Sequence, residues 1–160
     1  MDELNLNKNM VDGQVKPING MNEQLLSVFY LIDRNNFMPE AMKNLSYTEK
    51  NIVLKNNRAI FKPDLVAKIA LSIDLKNHEN VLVIGSTTGY LCAILSHQAE
   101  TVIVVEEDEC LLSLSENAIK KNNINNVVFI KNELTKGYSD QSPFNAIIIE
   151  GAIHEVPNNI

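Results

Sequence analysis

Cysteine is scarce in this chain: Cys92 and Cys110 are the only two in 160 residues, and they form no C-x-x-C pair. This excludes a disulfide scaffold, and because both lie in apolar, helix-like segments we expect buried, reduced thiols. Long apolar runs are also missing, and none approaches the ~20 residues of a membrane-spanning helix. The polar N-terminus, MDELNLNKNM, has no signal-peptide pattern. These absences predict a cytoplasmic protein without a membrane segment.

Basic residues are outnumbered. The chain contains 14 lysines and arginines but 20 aspartates and glutamates, which gives a net charge of -6. Such a balance argues against a nucleic-acid partner held by phosphate contacts. The phosphate-binding pattern G-x-x-x-x-G-K-[ST] is absent, and the three histidines have no further ligands at metal spacing. The sequence therefore predicts neither a nucleic-acid partner nor a metal site.

Regular patterns divide the chain into a helical first part and an alternating second part. Asn22 is a plausible N-cap for an amphipathic helix, whereas residues 46–58 have no periodicity and are expected to be irregular. Further on, the apolar runs VLVIG, TVIVV, NVVFI and FNAIII alternate with helical patterns. This alternation is typical of an α/β fold with a mostly parallel, Rossmann-like sheet. We predict a single domain over 1–160, with a helical N-terminal cap at 1–58 and an α/β core at 59–160.

The stretch VLVIGSTTGYL has the form of a buried strand that turns sharply into a helix. Gly85 allows the turn, and Gly89 allows close approach of the helix or of a ligand. Glu106 ends the next strand 21 positions after Gly85, where a carboxylate typically accepts hydrogen bonds from ribose hydroxyls. Glu133 follows the third strand, on the side expected for an adenine. A plain tight turn and a solvated acidic loop remain the structural alternatives.

The surroundings of this turn contain no basic residue, which disfavours a phosphate-rich ligand. A nicotinamide cofactor is compatible with the turn, but a cofactor without phosphates, such as S-adenosylmethionine, fits better.

Motifs along most of the chain resemble one family. MVDGQVKP, DRNNFMPE, LSYTE, RAIFKPDLVA, VLVIGSTTGYLCAILS and FNAIIIEGAIHEVP follow one another in the order and spacing of the protein-L-isoaspartate (D-aspartate) O-methyltransferases. The resemblance covers roughly residues 10–157. It implies a class I S-adenosyl-L-methionine-dependent methyltransferase fold, that cofactor, and protein repair by methylation of the α-carboxylate of isoaspartyl residues in a protein or peptide substrate. It assigns no catalytic residue. The predicted cofactor-binding residues are Ile60, Phe61, Gly85, Ser86, Gly89, Glu106, Glu107, Glu133 and Leu134.

Several positions depart from the family pattern. Phe61 stands where the family has a serine hydroxyl, and the charge of Asp64 is expected to repel a carboxylate substrate. Val83 and Thr87 replace the acid and the middle glycine around the cofactor turn. The chain also stops after the fourth strand, which predicts an incomplete sheet whose open edge offers a surface for self-association.

From these departures we expect weak or absent methyl transfer. Two alternatives stay open: a catalytically degenerate binding or interaction module of the same fold, and an NAD-dependent oxidoreductase that uses the same turn.

Overall fold

The computed structural model describes residues 3–160, which form two compact units. The first unit ends at Asp74, and the second runs from Leu75 to Ile160. The predicted cap ended at residue 58, whereas residues 59–74 cluster with the first unit. Residues 1 and 2, at the start of that predicted cap, lie outside the described part. The single domain over the whole chain stays a prediction.

The first unit is mainly helical, as its sequence pattern predicts. Its α-helices are α1 (Glu3–Met10), α2 (Glu23–Leu31) and α3 (Pro63–Ile73). The side chain of Asn22 accepts a hydrogen bond from the Leu25 N–H over 2.8 Å, which confirms Asn22 as the N-cap of α2. Pro63 occupies the first turn of α3, where its missing N–H costs no hydrogen bond. A π-helical turn, Val11–Val15, follows α1 directly.

The connection between α2 and α3 contains more structure than its sequence predicts. Two 3-10 segments are followed by an antiparallel pair of two-residue strands, β1 (Ile52–Val53) and β2 (Ala59–Ile60). The expectation that residues 46–58 are irregular is therefore wrong at β1. The pair escapes detection because two residues are too short to show periodicity. Ile52 and Ile60 form a small core with Met38.

The second unit contains a four-stranded parallel sheet, which confirms the predicted α/β class. Its elements are β3 (Asn80–Ile84), α4 (Tyr90–Leu95), β4 (Thr101–Glu106), α5 (Glu109–Lys121), β5 (Val127–Lys131) and β6 (Ala146–Ile149). The strand order is β5-β4-β3-β6. All four apolar runs identified in the sequence are strands.

The strand order creates a switch point beside β3. From β3 the chain passes through α4 to β4 and through α5 to β5, always in one direction across the sheet. It then returns to place β6 on the opposite side of β3. In open α/β sheets, ligands bind at the carboxyl ends of the strands where the order reverses. The end of β3, flanked by the ends of β4 and β6, is therefore the expected ligand position.

The sheet core is formed by alternate residues of the two central strands. Leu82, Ile84, Ile103 and Val105 are almost completely buried on one face. Ile149 of β6 and Ile160 near the chain end pack against them. β6 forms one edge of the sheet, and within residues 3–160 no strand pairs with its other side. Ile147 on this edge strand remains 45% exposed.

The two thiols have different environments. Cys92 in α4 is buried, as expected, but Cys110 is exposed. The expectation that both are buried is therefore wrong for Cys110, which occupies the first turn of the amphipathic helix α5 on its solvent side. Among residues 3–160, no helix has the length and apolar character needed to cross a membrane.

Candidate functional site

The turn between β3 and α4 uses two glycines for different reasons. Gly85 has φ +80°, and its N–H donates to the Val105 carbonyl over 2.8 Å, which ties the turn to β4. Gly89 has φ +84° and begins α4. A Cβ added to Gly89 would lie 3.0 Å from the Cβ of Ser115 in α5. Gly89 is thus required for packing between α4 and α5, whatever ligand the turn holds.

The polar side chains of the turn are all buried. The Ser86 hydroxyl donates to the Ser115 hydroxyl over 3.3 Å, so it is directed at α5. The Thr87 hydroxyl donates to Glu150 Oε1 over 2.8 Å. Thr88 is 1% exposed, and its hydroxyl has no hydrogen-bond partner within the part of the chain that the structure describes. An orphaned buried hydroxyl between two glycines of a ligand-type turn fits a cofactor with polar groups.

In the acidic run Glu106-Glu107-Asp108, Glu106 is buried, Asp108 is half-buried and Glu107 is exposed. Glu106 is fully buried at the end of β4, and its Oε1 accepts the N–H groups of Glu107 at 3.0 Å and Asp108 at 3.1 Å. Asp108 caps α5 by accepting the N–H groups of the first helical turn. These contacts hold a carboxylate rigidly beside the glycine turn, in the position predicted for ribose recognition.

A hydrogen bond joins two more of the predicted cofactor-binding residues, Glu107 after β4 and Leu134 after β5. Glu107 Oε2 accepts the backbone N–H of Leu134 over 3.2 Å. Glu133 forms an exposed ion pair with Lys136, in which Nζ and Oε1 are 2.7 Å apart. The structure thus gathers Gly85, Ser86, Gly89 and these acidic residues at the carboxyl ends of β3, β4 and β5. Their role in cofactor binding stays a prediction.

Ile60 and Phe61 belong to the N-terminal unit. Ile60 is 2% exposed and packs in the core with Met38 and Ile52, so its side chain already has a structural role. The Phe61 carbonyl accepts a hydrogen bond from Nη2 of the buried Arg34 over 2.7 Å. Arg34 Nε also donates to the Ser46 carbonyl. A buried arginine therefore fixes the backbone of the Ile60-Phe61 segment.

Asp64 is flanked by two lysines. Its Oδ2 lies 3.2 Å from Lys62 Nζ and 3.1 Å from Lys68 Nζ. Partial burial raises the pKa of Asp64, but the hydrogen bonds and charges of Lys68 and Lys62 outweigh this effect, and the pKa lies below its usual value. Two positive charges beside one negative charge leave the group net positive. The repulsion of a carboxylate that the sequence predicts for Asp64 is thereby offset.

A cleft of about 550 Å³ lies in the first unit, between α3 and the segment that follows α1. Asp64 and Lys68 line it together with Gln14, whose side-chain oxygen is buried and has no hydrogen-bond partner among residues 3–160. The Gln14 amide nitrogen donates to the Tyr47 carbonyl over 2.8 Å, so the orientation of the amide is fixed. The cleft therefore combines the Gln14 amide oxygen with charged groups of both signs.

Sequence reasoning missed Glu150. This acid directly follows the apolar strand β6, much as Glu106 is the last residue of β4, and this similarity could have identified it from the sequence. Glu150 is 7% exposed. Burial raises the pKa of the Cys92 thiol well above its usual range, and the charges of Glu150 and Glu106 add to this effect. The Glu150 carboxylate lies close to the start of α4, because it accepts the hydroxyl of Thr87 in the turn that precedes this helix.

Known proteins share this fold and sequence pattern. Residues 5–160 match the family model described as protein-L-isoaspartate(D-aspartate) O-methyltransferase (PCMT). The protein-L-isoaspartate O-methyltransferase of Syntrophus aciditrophicus is 28% identical over 148 residues, 92% of this chain and 68% of the relative. That of Aliivibrio fischeri strain MJ11 is 28% identical over 157 residues, 98% of this chain and 76% of the relative.

Solved structures support the same fold. A protein-L-isoaspartate O-methyltransferase superposes with a TM-score of 0.78 at 21% identity, over 99% of this chain and half of that chain. A Plasmodium falciparum beta-aspartate methyltransferase in complex with S-adenosyl-L-homocysteine gives 0.74 at 19% identity, over 98% of this chain and 77% of that chain.

These structures confirm the predicted fold class. The family match confirms the O-methyltransferase-like function and S-adenosyl-L-methionine as the cofactor of the family. The low identities agree with the predicted divergence. The chain belongs to the protein-L-isoaspartate (D-aspartate) O-methyltransferase family.

Proposed function

We propose that this chain binds S-adenosyl-L-methionine at the carboxyl ends of β3, β4 and β5 and methylates the α-carboxylate of isoaspartyl residues in proteins. The buried Glu106 carboxylate carries the proposal, since backbone N–H groups hold it beside the glycine turn. A carboxylate has about four acceptor sites, which suits a pair of ribose hydroxyls. The orphaned Thr88 hydroxyl supports a ligand at the same turn.

The residues of the turn would act through position rather than through acid–base chemistry. The bound cofactor supplies an electrophilic methyl group, and the carboxylate of the substrate is already a nucleophile. The protein must align the two and exclude water. The Ser86 hydroxyl is directed at α5, so we assign the ligand contacts of this residue to its main chain. We assign Glu107, Glu133 and Leu134 to the cofactor side as well.

Phe61 is the main reason to expect slow turnover. The resemblance places a serine at this position, and a phenyl ring cannot donate a hydrogen bond to a carboxylate. Asp64 is not expected to repel the substrate carboxylate, because Lys62 and Lys68 offset its charge. We therefore propose a catalyst that is slower than family members with the hydroxyl.

Calorimetric titration with S-adenosyl-L-homocysteine tests cofactor binding, and transfer of a labelled methyl group to an isoaspartyl peptide tests the reaction. The same peptide with normal aspartate is the matched control. Binding without transfer would favour the interaction module over the enzyme. Absence of binding at high micromolar ligand would refute the proposal.

The remaining predictions extend this proposal. The family match runs through both units, which supports one domain over 1–160. The exposed Ile147 on the edge strand β6 supports self-association there. The excess of acidic residues supports a protein rather than a nucleic-acid partner. The free thiols Cys92 and Cys110 suit the reducing cytoplasm.

A further inference from the structure

Glu150 lies at the switch point of the sheet, next to the cofactor turn. β6 pairs with β3 in a register that sets Ile149 opposite Ile84. The Glu150 N–H donates to the Ile84 carbonyl over 2.9 Å, directly before the turn begins. The Glu150 carboxylate then accepts the Thr87 hydroxyl over 2.8 Å. Residue 150 therefore contacts the last residue of β3 through its main chain and the turn through its side chain.

Thr87 has a backbone conformation that its residue type disfavours. Its φ is +46°, in the left-handed region. A β-branched residue is strained there, and such strain persists only when surrounding contacts hold it. Thr87 is 1% exposed, and its hydroxyl donates a hydrogen bond to the buried Glu150. A hydrogen bond to a carboxylate that is shielded from water is a strong restraint.

The neighbours of Thr87 are fixed from the other side. The Gly89 N–H donates to the Ser86 carbonyl over 2.8 Å, which closes the turn. The Ser86 hydroxyl is bound to Ser115 of α5. The bond from Thr87 to Glu150 restrains the middle of the turn from the β6 side.

Resting on the proposed function, we propose that Glu150 is a positioning residue. It holds Thr87 in the left-handed conformation and so gives the turn from Gly85 to Gly89 the shape that binds the cofactor. Glycine adopts this conformation without help. Glu150 should therefore be needed for the shape of the turn and for cofactor binding when residue 87 is threonine. It should not be needed when residue 87 is glycine.

A double-mutant cycle tests this dependence. Glu150→Ala removes the acceptor, Glu150→Gln keeps an acceptor oxygen without the charge, and Thr87→Gly removes the strain. We expect Glu150→Ala to weaken S-adenosyl-L-homocysteine binding on the order of tenfold. Glu150→Gln should stay within about threefold of the parent, and Glu150→Ala should have little effect in the Thr87→Gly background. Glu155→Ala, at an exposed acid five residues further on, is the control.

Hydrogen exchange of the turn amides in the ligand-free protein gives a second readout, independent of any cofactor. Glu150→Ala should accelerate exchange in residues 85–89 only when residue 87 is threonine. Equal effects of Glu150→Ala in both backgrounds, in exchange or in affinity, would overturn the inference. If the parent chain failed to bind the ligand while exchange still showed the coupling, the proposed function would fail and the role of Glu150 in the turn would stand.

Discussion

The α-carbon of Gly89 lies against Ser115, so that a Cβ on residue 89 would be 3.0 Å from the Cβ of Ser115. The same glycine has φ +84°. Backbone conformation and packing therefore require glycine at this position independently of any ligand.

Gly89→Ala should destabilise the protein by about 2–4 kcal/mol, because it combines left-handed strain with an overpacked contact between α4 and α5. Urea unfolding measures the change. Gly151→Ala is the matched control, since a Cβ there meets nothing within 4 Å. Equal stability of the two variants would contradict this account of Gly89.

Glu106→Ala should weaken S-adenosyl-L-homocysteine binding by about 1–3 kcal/mol, the cost of losing a charge-assisted hydrogen bond to the ligand. Isothermal titration calorimetry measures the affinity. Glu109→Ala, at an exposed residue paired with Lys131, should leave it unchanged. An unaltered affinity in Glu106→Ala would remove the ribose role.

Phe61→Ser should raise methyl transfer to an isoaspartyl peptide by about 10–100-fold, because the new hydroxyl can bind the substrate carboxylate. Initial rates with labelled cofactor measure the gain. Phe61→Ala opens the same space without a donor and should bring a smaller gain. If the alanine variant matched the serine variant, ring size rather than hydrogen bonding would explain the slow turnover.

The two thiols should differ in reactivity. Burial and the nearby carboxylates raise the pKa of Cys92, so at pH 8 a thiol reagent should modify Cys110 alone in the folded protein. After unfolding, a second equivalent of the reagent should react per chain. Cys110→Ser should abolish the reaction of the folded protein. Modification of both thiols at equal rates in the folded protein would contradict the burial of Cys92.

The raised pKa of Cys92 also gives stability a pH dependence. The buried, protonated Cys92 thiol contributes to the free energy of unfolding. This contribution is fully present at a pH below the pKa of an unfolded thiol, about 8.5, and is lost as the pH rises through the pKa of the folded state. Urea unfolding from pH 7 to pH 10 should show this loss, and Cys92→Ala should reduce it.

Local patterns predicted the elements well. The apolar runs became β3 to β6, and the central strands β3 and β4 are buried on both faces, as is typical of a parallel sheet. Asn22 and Pro63 begin their helices because of the N-terminal preferences of those residue types. The pair β1–β2 and the exposure of Cys110 were missed, because a two-residue strand and a single helix position leave no periodic signal.

The amino-acid sequence by itself determined the family, the α/β class and the acids Glu106 and Glu133 at the ends of two strands, because these depend on residue order and local periodicity. Only the tertiary structure decided that β6 returns to the side of β3, since pairing between distant strands leaves no local pattern. That placement brings Glu150 to Thr87. It also separates the roles of the turn residues: Gly89 serves packing, Ser86 faces α5, and Thr87 depends on an acid 63 residues away.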